Sequence, residues 1–263
     1  MSDQRTENDN RLVETRDGSH TVYSPQFDQH YHNPNGAVAE SRYVFFEQTG
    51  LLDKLRSSDH PITIFEVGFG TGLNLMLLLD YCLSKDSQAK ITYFSVEGFP
   101  LQPDTVNDFN FTDHLTHPEA QHAVTDLFSQ LKPGNNQFQV ADRITVHLFN
   151  GLFSDIDWKE SDVQANYIFH DAFSPDVNGE LWTGQTFSQL RAYGADDVIL
   201  STYCAASQAQ GALAWAGWKI GKTRGALGKR EMILAALDPH QLDGSKRVDE
   251  ERYARRYEEG DFD

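Results

Sequence analysis

Three glycines and a few carboxylates carry the densest chemical signal in this sequence. In FEVGFGTGLN, residues 65–74, Gly68, Gly70 and Gly72 follow the β-branched run ITIFEV and lead into an apolar run that opens with Leu73 and Asn74. A strand that ends in glycine and feeds a helix lets the main chain turn tightly and approach a bound nucleotide moiety where a Cβ would collide. The spacing is GxGxG. Dinucleotide folds set the third glycine one place later and face a pyrophosphate with the helix N-terminus. Glu66, just before the turn, would repel a phosphate and suits a cationic, phosphate-free ligand. A glycine turn that serves the fold alone is the ordinary alternative.

Two more carboxylates sit where strands should end. Glu97 closes ITYFSVE, some 25 residues after Gly72, where a carboxylate can accept both hydroxyls of a ribose; otherwise it is an exposed strand end. Asp171 opens DAFSPDVNGELW, residues 171–182, directly behind the apolar run YIF. Ligands of an open α/β sheet bind outside the carboxyl ends of its strands, so Asp171 is expected in the same crevice as the glycine turn. There it can hold an amine by a charge-assisted hydrogen bond, aim its lone pair at an activated methyl group and take up the released proton, or it can simply cap a strand. Phe173, Pro175 and Trp182 can wall such a pocket, although aromatic side chains are more often core.

The elements that must position these groups follow from the apolar pattern. Strands are predicted at 62–67, 91–97, 144–149, 167–171, 198–203 and 232–237, with helix-like stretches between several of them, which implies a mostly parallel sheet covered on both faces. A helix in one or two pieces, interruptible at Gly50, leads in over 38–55, and 20–27 alternates weakly enough for a short hairpin. The domain is expected over 19–237. Residues 1–18 read as a disordered polar lead, 113–142 as an insertion of helix and loop, and 238–263 as a charged, solvated tail.

Composition narrows the class. At 263 residues and 39% hydrophobic content, one sizeable core with decoration is expected. Neither a signal segment nor a bilayer-spanning run is visible, and the two cysteines, Cys82 and Cys204, show no metal-ligand or disulfide spacing, so a cytoplasmic, metal-free protein off the membrane is expected. A formal charge of −17 argues against general affinity for nucleic acid. The exception is 218–230, which holds Lys219, Lys222, Arg224, Lys229 and Arg230 and no acid; it reads either as a local contact for a polyanion or as a solvated surface loop.

Taken together, the motifs resemble the MnmD-type tRNA wobble-uridine methyltransferases, which also form the N-terminal half of bifunctional MnmC proteins. The resemblance runs from about residue 17 to 237. YSPQFDQHYHNPNGAVAESRYVF (23–45), EVGFGTGLN, VEGFP (96–100), DAFSPDVNGELW, STYCA (201–205) and GKREM (228–232) carry it, in the family's order. It implies a class I, Rossmann-like α/β fold that binds S-adenosyl-L-methionine and methylates the amine of 5-aminomethyl-(2-thio)uridine at the tRNA wobble position. By the same resemblance Asp171 is the catalytic carboxylate and Glu97 the ribose ligand. Glu66, Gly68, Gly70, Gly72, Leu73 and Asn74 line the cofactor, and Tyr31, Gly36 and Glu40 flank the cleft. Lys229 and Arg230 are candidates for the anticodon backbone.

Two positions depart from the family. Relatives carry an acid after the third strand, where this chain has Asn150 and Gly151; Asn150 can take over the adenine contact through its side-chain carbonyl. YGADD, 193–197, replaces a Pro-Gly-Gly turn. The chain has no room for the flavin-dependent half of the fused proteins, so a separate upstream enzyme is expected to supply the aminomethyl group. A methyltransferase of small amines, a nicotinamide oxidoreductase and a non-catalytic adaptor on the same fold are the rival readings.

Overall fold

The computed structural model describes residues 10–57, 60–85 and 87–262. Strands β1 (Arg11–Glu14), β2 (His20–Ser24) and β3 (Gln29–His30) form a small antiparallel sheet, followed by α1 (Ala37–Ser41), a π-helical turn (Arg42–Glu47) and α2 (Leu51–Ser57). The body then runs β4 (Ile62–Val67), α3 (Leu73–Lys85), β5 (Ile91–Glu97), α4 (Pro103–Asn107), α5 (Glu119–Gln130), β6 (Gly134–Ala141), β7 (Ile144–Asn150) and β8 (Ala165–His170). It closes with α6 (Gly184–Ala192), β9 (Gly194–Thr202), α7 (Ser207–Trp215), β10 (Lys219–Thr223), β11 (Met232–Ala236), β12 (Lys246–Arg247) and α8 (Glu250–Glu258).

The nine-stranded sheet has the order β12-β10-β11-β9-β8-β4-β5-β7-β6. Its inner five strands, β7 to β9 in that order, are parallel, and β11 enters antiparallel beside β9. From β4 the chain proceeds to β5 and β7 on one side and later to β8 and β9 on the other, so the sheet reverses direction at β4. A crevice opens at such a reversal, outside the carboxyl ends of the strands.

Strand parity decides which groups meet there. Ile62 and Ile64 of β4 join the core on the α3 face, whereas Phe65 and Val67 join the opposite one; Ile91 and Tyr93, and then Phe94 and Val96, divide β5 the same way. Alternation of side chains along a strand therefore places Glu66, Glu97 and Asp171 on the α3 face. α3 and α5 cover that face, α6 and α7 cover the other, and α8 packs on α7.

Several segments are more ordered than their composition implies. Of the expected disordered lead, residues 1–9 lie outside the described residues, but 11–14 pair with β2, and the Asp17 carboxylate accepts hydrogen bonds from Thr15, Ser19 and the Ala39 amide. The insertion over 113–142 contains edge strand β6 as well as α5. The acid-free stretch 218–230 is divided: 219–223 forms β10, hydrogen-bonded on both sides, and 224–230 is a connecting loop that exposes Arg224 and Arg230. The solvated tail contains α8, whose Tyr257 hydroxyl accepts from the Gly184 amide at 2.9 Å. Among the described residues no helix is long and apolar enough to cross a membrane.

Candidate active site

A cavity of about 480 Å³ opens at the sheet reversal, bounded by the glycine turn, the end of β5, residues 152–154 and the segment after β8. Its size falls within the range of about 300–1,000 Å³ usual for small-molecule sites. A second cavity of about 220 Å³ lies on the far side of Asp171, under α1, β3 and the end of β9. Asp171, Tyr31 and His32 line both.

Each glycine of the turn has a different task. Gly68, at φ +88°, would set a Cβ 2.9 Å from the Asp171 carbonyl oxygen, so its smallness fixes how closely β4 and β8 converge. Gly70, at φ +56°, faces the Tyr31 ring inside the larger cavity and donates its amide to Glu97 Oε2 at 2.8 Å. A Cβ at Gly72, φ +75°, would lie 2.5 Å from a Val124 methyl, so this glycine serves the packing of α3 on α5.

Glu97 receives a second amide, that of Phe99, on Oε1 at 2.7 Å. Burial pushes its carboxyl up, and the amides of Phe99, Gly70 and Gly98 pull it back. The carboxylate is thus held at the mouth of the first cavity with lone-pair capacity left for vicinal hydroxyls.

Behind the turn lies a chain of four polar groups. Asn74 Nδ2 donates to Glu66 Oε1 at 2.9 Å and to Asp171 Oδ2 at 3.0 Å, and Ser95 Oγ donates to Glu66 Oε2 at 2.9 Å. Burial raises Glu66 to about 8, against the hydrogen bonds of Asn74 and Ser95 and the Tyr93 hydroxyl and with a small addition from Glu97. Burial and then the charges of Glu66 and Glu40 push Asp171 well above the ordinary carboxylate range, against the Asn74 bond and the Lys229 ammonium. Glu66 is the deeper of the two and retains a proton at neutral pH. Asp171, open to both cavities, is the one that responds to a cation.

In the second cavity Lys229 Nζ lies 2.7 Å from Glu40 Oε1 and 4.6 Å from the centroid of the Tyr203 ring. His32 accepts or donates at both ring nitrogens, towards Thr21 and Thr71, tying the small sheet to the glycine turn. Burial drives it down to about 4, so it is neutral.

The sequence-based assignments divide accordingly. Gly68, Gly70, Leu73, Asn74, Glu97 and Phe173 line the first cavity, Glu40 and Lys229 line the second, and Tyr31 and Asp171 line both. The other assigned residues line neither. Glu66 points by strand parity at the base of α3, and Gly72 packs on α5. Gly36 abuts Asp17, leaving no room for a side chain. Trp182 is fully buried, its indole N–H given to the Phe173 carbonyl at 2.7 Å, and it holds the loop rather than walling the pocket. Asn150 pairs with Glu97 in the sheet, and Leu152, Phe153 and Ser154 stand at the cavity edge in its place. Pro175 stays outside both, and Arg230 is exposed. Sequence reasoning missed His32, Phe99, Tyr203 and the α6 residues Gln185 and Gln189. His32, Phe99 and Tyr203 do fall inside the quoted motifs.

The first cavity suits S-adenosyl-L-methionine. A carboxylate stands ready for the ribose, two exposed apolar side chains, Phe99 and Leu152, flank the mouth for a purine, and the unpartnered buried Asn74 Oδ1 remains to accept from the amino-acid end. Comparison with known proteins agrees. Residues 115–238 match a family described as S-adenosyl-L-methionine-dependent methyltransferase. The MnmC bifunctional protein of tRNA 5-methylaminomethyl-2-thiouridine biosynthesis from Leptospira borgpetersenii is 29% identical over 88% of this chain and 36% of its own length. That from Delftia acidovorans is 28% identical over 83% of this chain and 34% of its own. The chain thus spans about a third of the length of these curated relatives. The crystal structure of MnmC2 from Aquifex aeolicus superposes with a TM-score of 0.72 at 24% identity, covering 95% of this chain and 76% of that one, and shows the same fold. Fold, cavity and family match define a class I, S-adenosyl-L-methionine-dependent methyltransferase. Within that class the chain is similar to the methyltransferase part of the MnmC proteins.

Proposed function

We propose that this enzyme methylates the primary amine of 5-aminomethyl-(2-thio)uridine at the wobble position of tRNA, giving the methylaminomethyl nucleoside. The observation that carries the reading is the position of Asp171 as the wall between two cavities, one fitted to the cofactor and the other smaller, with Glu40 and Lys229 in its lining. Bound S-adenosylmethionine supplies an electrophilic methyl group carried on a sulfonium. Gly70, Asn74 and Glu97 would hold it, and Phe99 and Leu152 would enclose its base.

The chain's own residues manage the acceptor. A free alkylamine titrates far above neutral pH and binds as its ammonium, so it must give up a proton before its lone pair can attack. Asp171 attracts the cation, orients the nitrogen through a charge-assisted hydrogen bond and accepts a proton at Oδ. Burial that lifts the Asp171 carboxyl narrows the gap between it and the ammonium, which makes the transfer less uphill. Tyr31 and Phe173, in edge contact at 4.9 Å between ring centroids, offer the base an aromatic wall. Arg224 and Arg230, exposed on the loop that carries Lys229, are suited to phosphates of the anticodon arm. The reading requires that another enzyme form the aminomethyl group first, and it places the reaction in the cytoplasm with tRNA.

Mass spectrometry of wobble nucleosides from cells with and without the protein tests this: loss should accumulate the aminomethyl precursor. Purified enzyme should transfer methyl to undermodified tRNA. Transfer to free small amines, with none to tRNA, would assign the site to small-amine methylation instead.

A further inference from the structure

Lys229 is built into the second cavity more firmly than a surface cation reaching for phosphate. Its amide donates to the Ala226 carbonyl at 2.9 Å, and the turn is so tight that a Cβ on Gly225 would lie 2.7 Å from that of Lys229. Its partner Glu40 is only 8% exposed and is pinned by the Asn33 amide at 3.2 Å and by Asn33 Nδ2 at 3.1 Å. The ion pair of 2.7 Å therefore joins a buried, anchored carboxylate to the side chain of a lysine whose backbone is held in a tight turn.

The charges facing this cavity come from every element around it. Asp171 follows β8, Glu40 lies on α1, Lys229 precedes β11, and Glu66 stands behind Asp171 on β4. Tyr203 follows β9, while His30, Tyr31 and His32 come from the end of β3 and beyond. Tyr31 and Tyr203 are pushed up by burial and His32 is pushed down to about 4, so these three stay neutral. Lys229 is thus the permanent cation set against the carboxylates of Glu40 and Asp171, in a lining that also includes His30.

We propose that Lys229 sets the protonation state of the acceptor amine: it cancels the charge of Glu40, so that Asp171 is the sole uncompensated carboxylate beside the bound nitrogen. One such charge recruits the ammonium. Two would hold it protonated and unreactive, because each nearby anion favours the charged form of an amine. A cation beside a reactive amine lowers its pKa for the same reason. This rests on the amine-methylation reading, and Lys229 acts through charge rather than through contact with the transferred group.

The test uses an anticodon stem-loop carrying ¹⁵N-labelled 5-aminomethyluridine, bound to the full chain without cofactor, with the amine nitrogen followed by NMR against pH. In Lys229→Met and Lys229→Gln the bound amine's pKa should rise by about one unit or more, a roughly tenfold loss of the reactive form at neutral pH. The acid limb of the kcat profile should move to higher pH by the same amount, and Lys229→Arg should restore both. Calorimetric binding of S-adenosylmethionine reports that each variant is folded. An unmoved amine pKa in both neutral variants overturns the proposal, as does weakened stem-loop binding with a shallower salt dependence, the mark of a phosphate contact. If wild type itself neither binds the stem-loop nor perturbs its amine signal, the substrate reading falls, and this proposal with it.

Discussion

Asn74 donates its amide to Asp171 Oδ2 at 3.0 Å while giving the same nitrogen to Glu66 Oε1 at 2.9 Å. A single neutral donor thus holds two carboxyls together in a buried site. Asn74→Ala should leave both short of a partner, at a cost of about 1–3 kcal/mol in stability, and should lift Asp171 further. Denaturant unfolding gives the first effect. The second is a shift of the kcat–pH profile in the variant, and an unchanged profile would separate Asn74 from the reactive carboxyl.

Removing the carboxyl itself should split binding from turnover. Asp171→Asn retains the shape and the Asn74 neighbour but loses the proton acceptor, and general-base contributions of this kind are worth roughly 10²–10⁴ in rate. Calorimetry should show cofactor affinity within a few-fold of wild type. Equal turnover in wild type and variant would remove Asp171 from the chemistry.

Glu97 should behave in the opposite way. Its two oxygens accept the amides of Gly70 and Phe99, so Glu97→Ala releases both sides of the cofactor cavity and removes the ribose acceptor together. A loss of about 10²-fold in cofactor affinity is expected, at about 1.5–3 kcal/mol for a hydrogen bond to a charged group. Turnover at saturating cofactor should fall much less, and equilibrium dialysis beside steady-state kinetics distinguishes the two effects.

How far these roles could be read from sequence depended on where the signal lay. Inner strands such as β4 and β5 are buried on both faces and show as continuous apolar runs. Edge strand β6, GNNQFQVA, turns only Phe138, Val140 and Ala141 to the core among otherwise polar residues, and it passes for a polar loop. α8, EERYARRYE, hides its Tyr253, Ala254 and Tyr257 face among charges. Strand parity could not show that Glu66 stays out of the ligand cavity, because it sends Glu66, Glu97 and Asp171 to the same face; what holds Glu66 behind the turn is its bond to Asn74 at the base of α3. The pairing of Glu40 with Lys229 was not legible either, because 189 residues separate them and only the meeting of α1 with the turn before β11 brings them together.

Stability should carry the imprint of the buried titratable groups in two separate pH windows. Glu66 rises from an ordinary 4.5 to about 8, so its contribution is fully present below about 4.5 and is lost as pH climbs through 8. His32 and His170 fall from 6.5 to about 4, so theirs is present above 6.5 and is lost as pH falls through 4. Glu66→Gln should therefore flatten the alkaline side of the stability profile, by an amount on the order of a few kcal/mol, without altering the acid side. Urea midpoints from pH 4 to 9 measure this; a parallel downward displacement of the whole curve would mean that Glu66 is ionised in the native protein.

The first glycine of the turn offers the sharpest test of how the two halves of the site are joined. A Cβ on Gly68 would approach the Asp171 carbonyl oxygen to 2.9 Å, and its neighbouring carbon and the Ala172 amide are nearly as close. These are backbone atoms, so relief requires β4 and the end of β8 to separate. The φ of +88° adds strain for any side chain. Gly68→Ala should therefore displace the reactive carboxyl relative to both cavities, and misplacement by about 1 Å can cost on the order of 10²-fold in rate. Gly70→Ala meets only the Tyr31 ring edge, at 3.3 Å, within the cavity, so its first effect should be on cofactor affinity, with φ +56° adding a smaller strain. Measured side by side, Gly68→Ala should lose mainly kcat and Gly70→Ala mainly affinity. The reverse ranking would mean that the first glycine is there for the ligand, and that the convergence of β4 and β8 does not position Asp171.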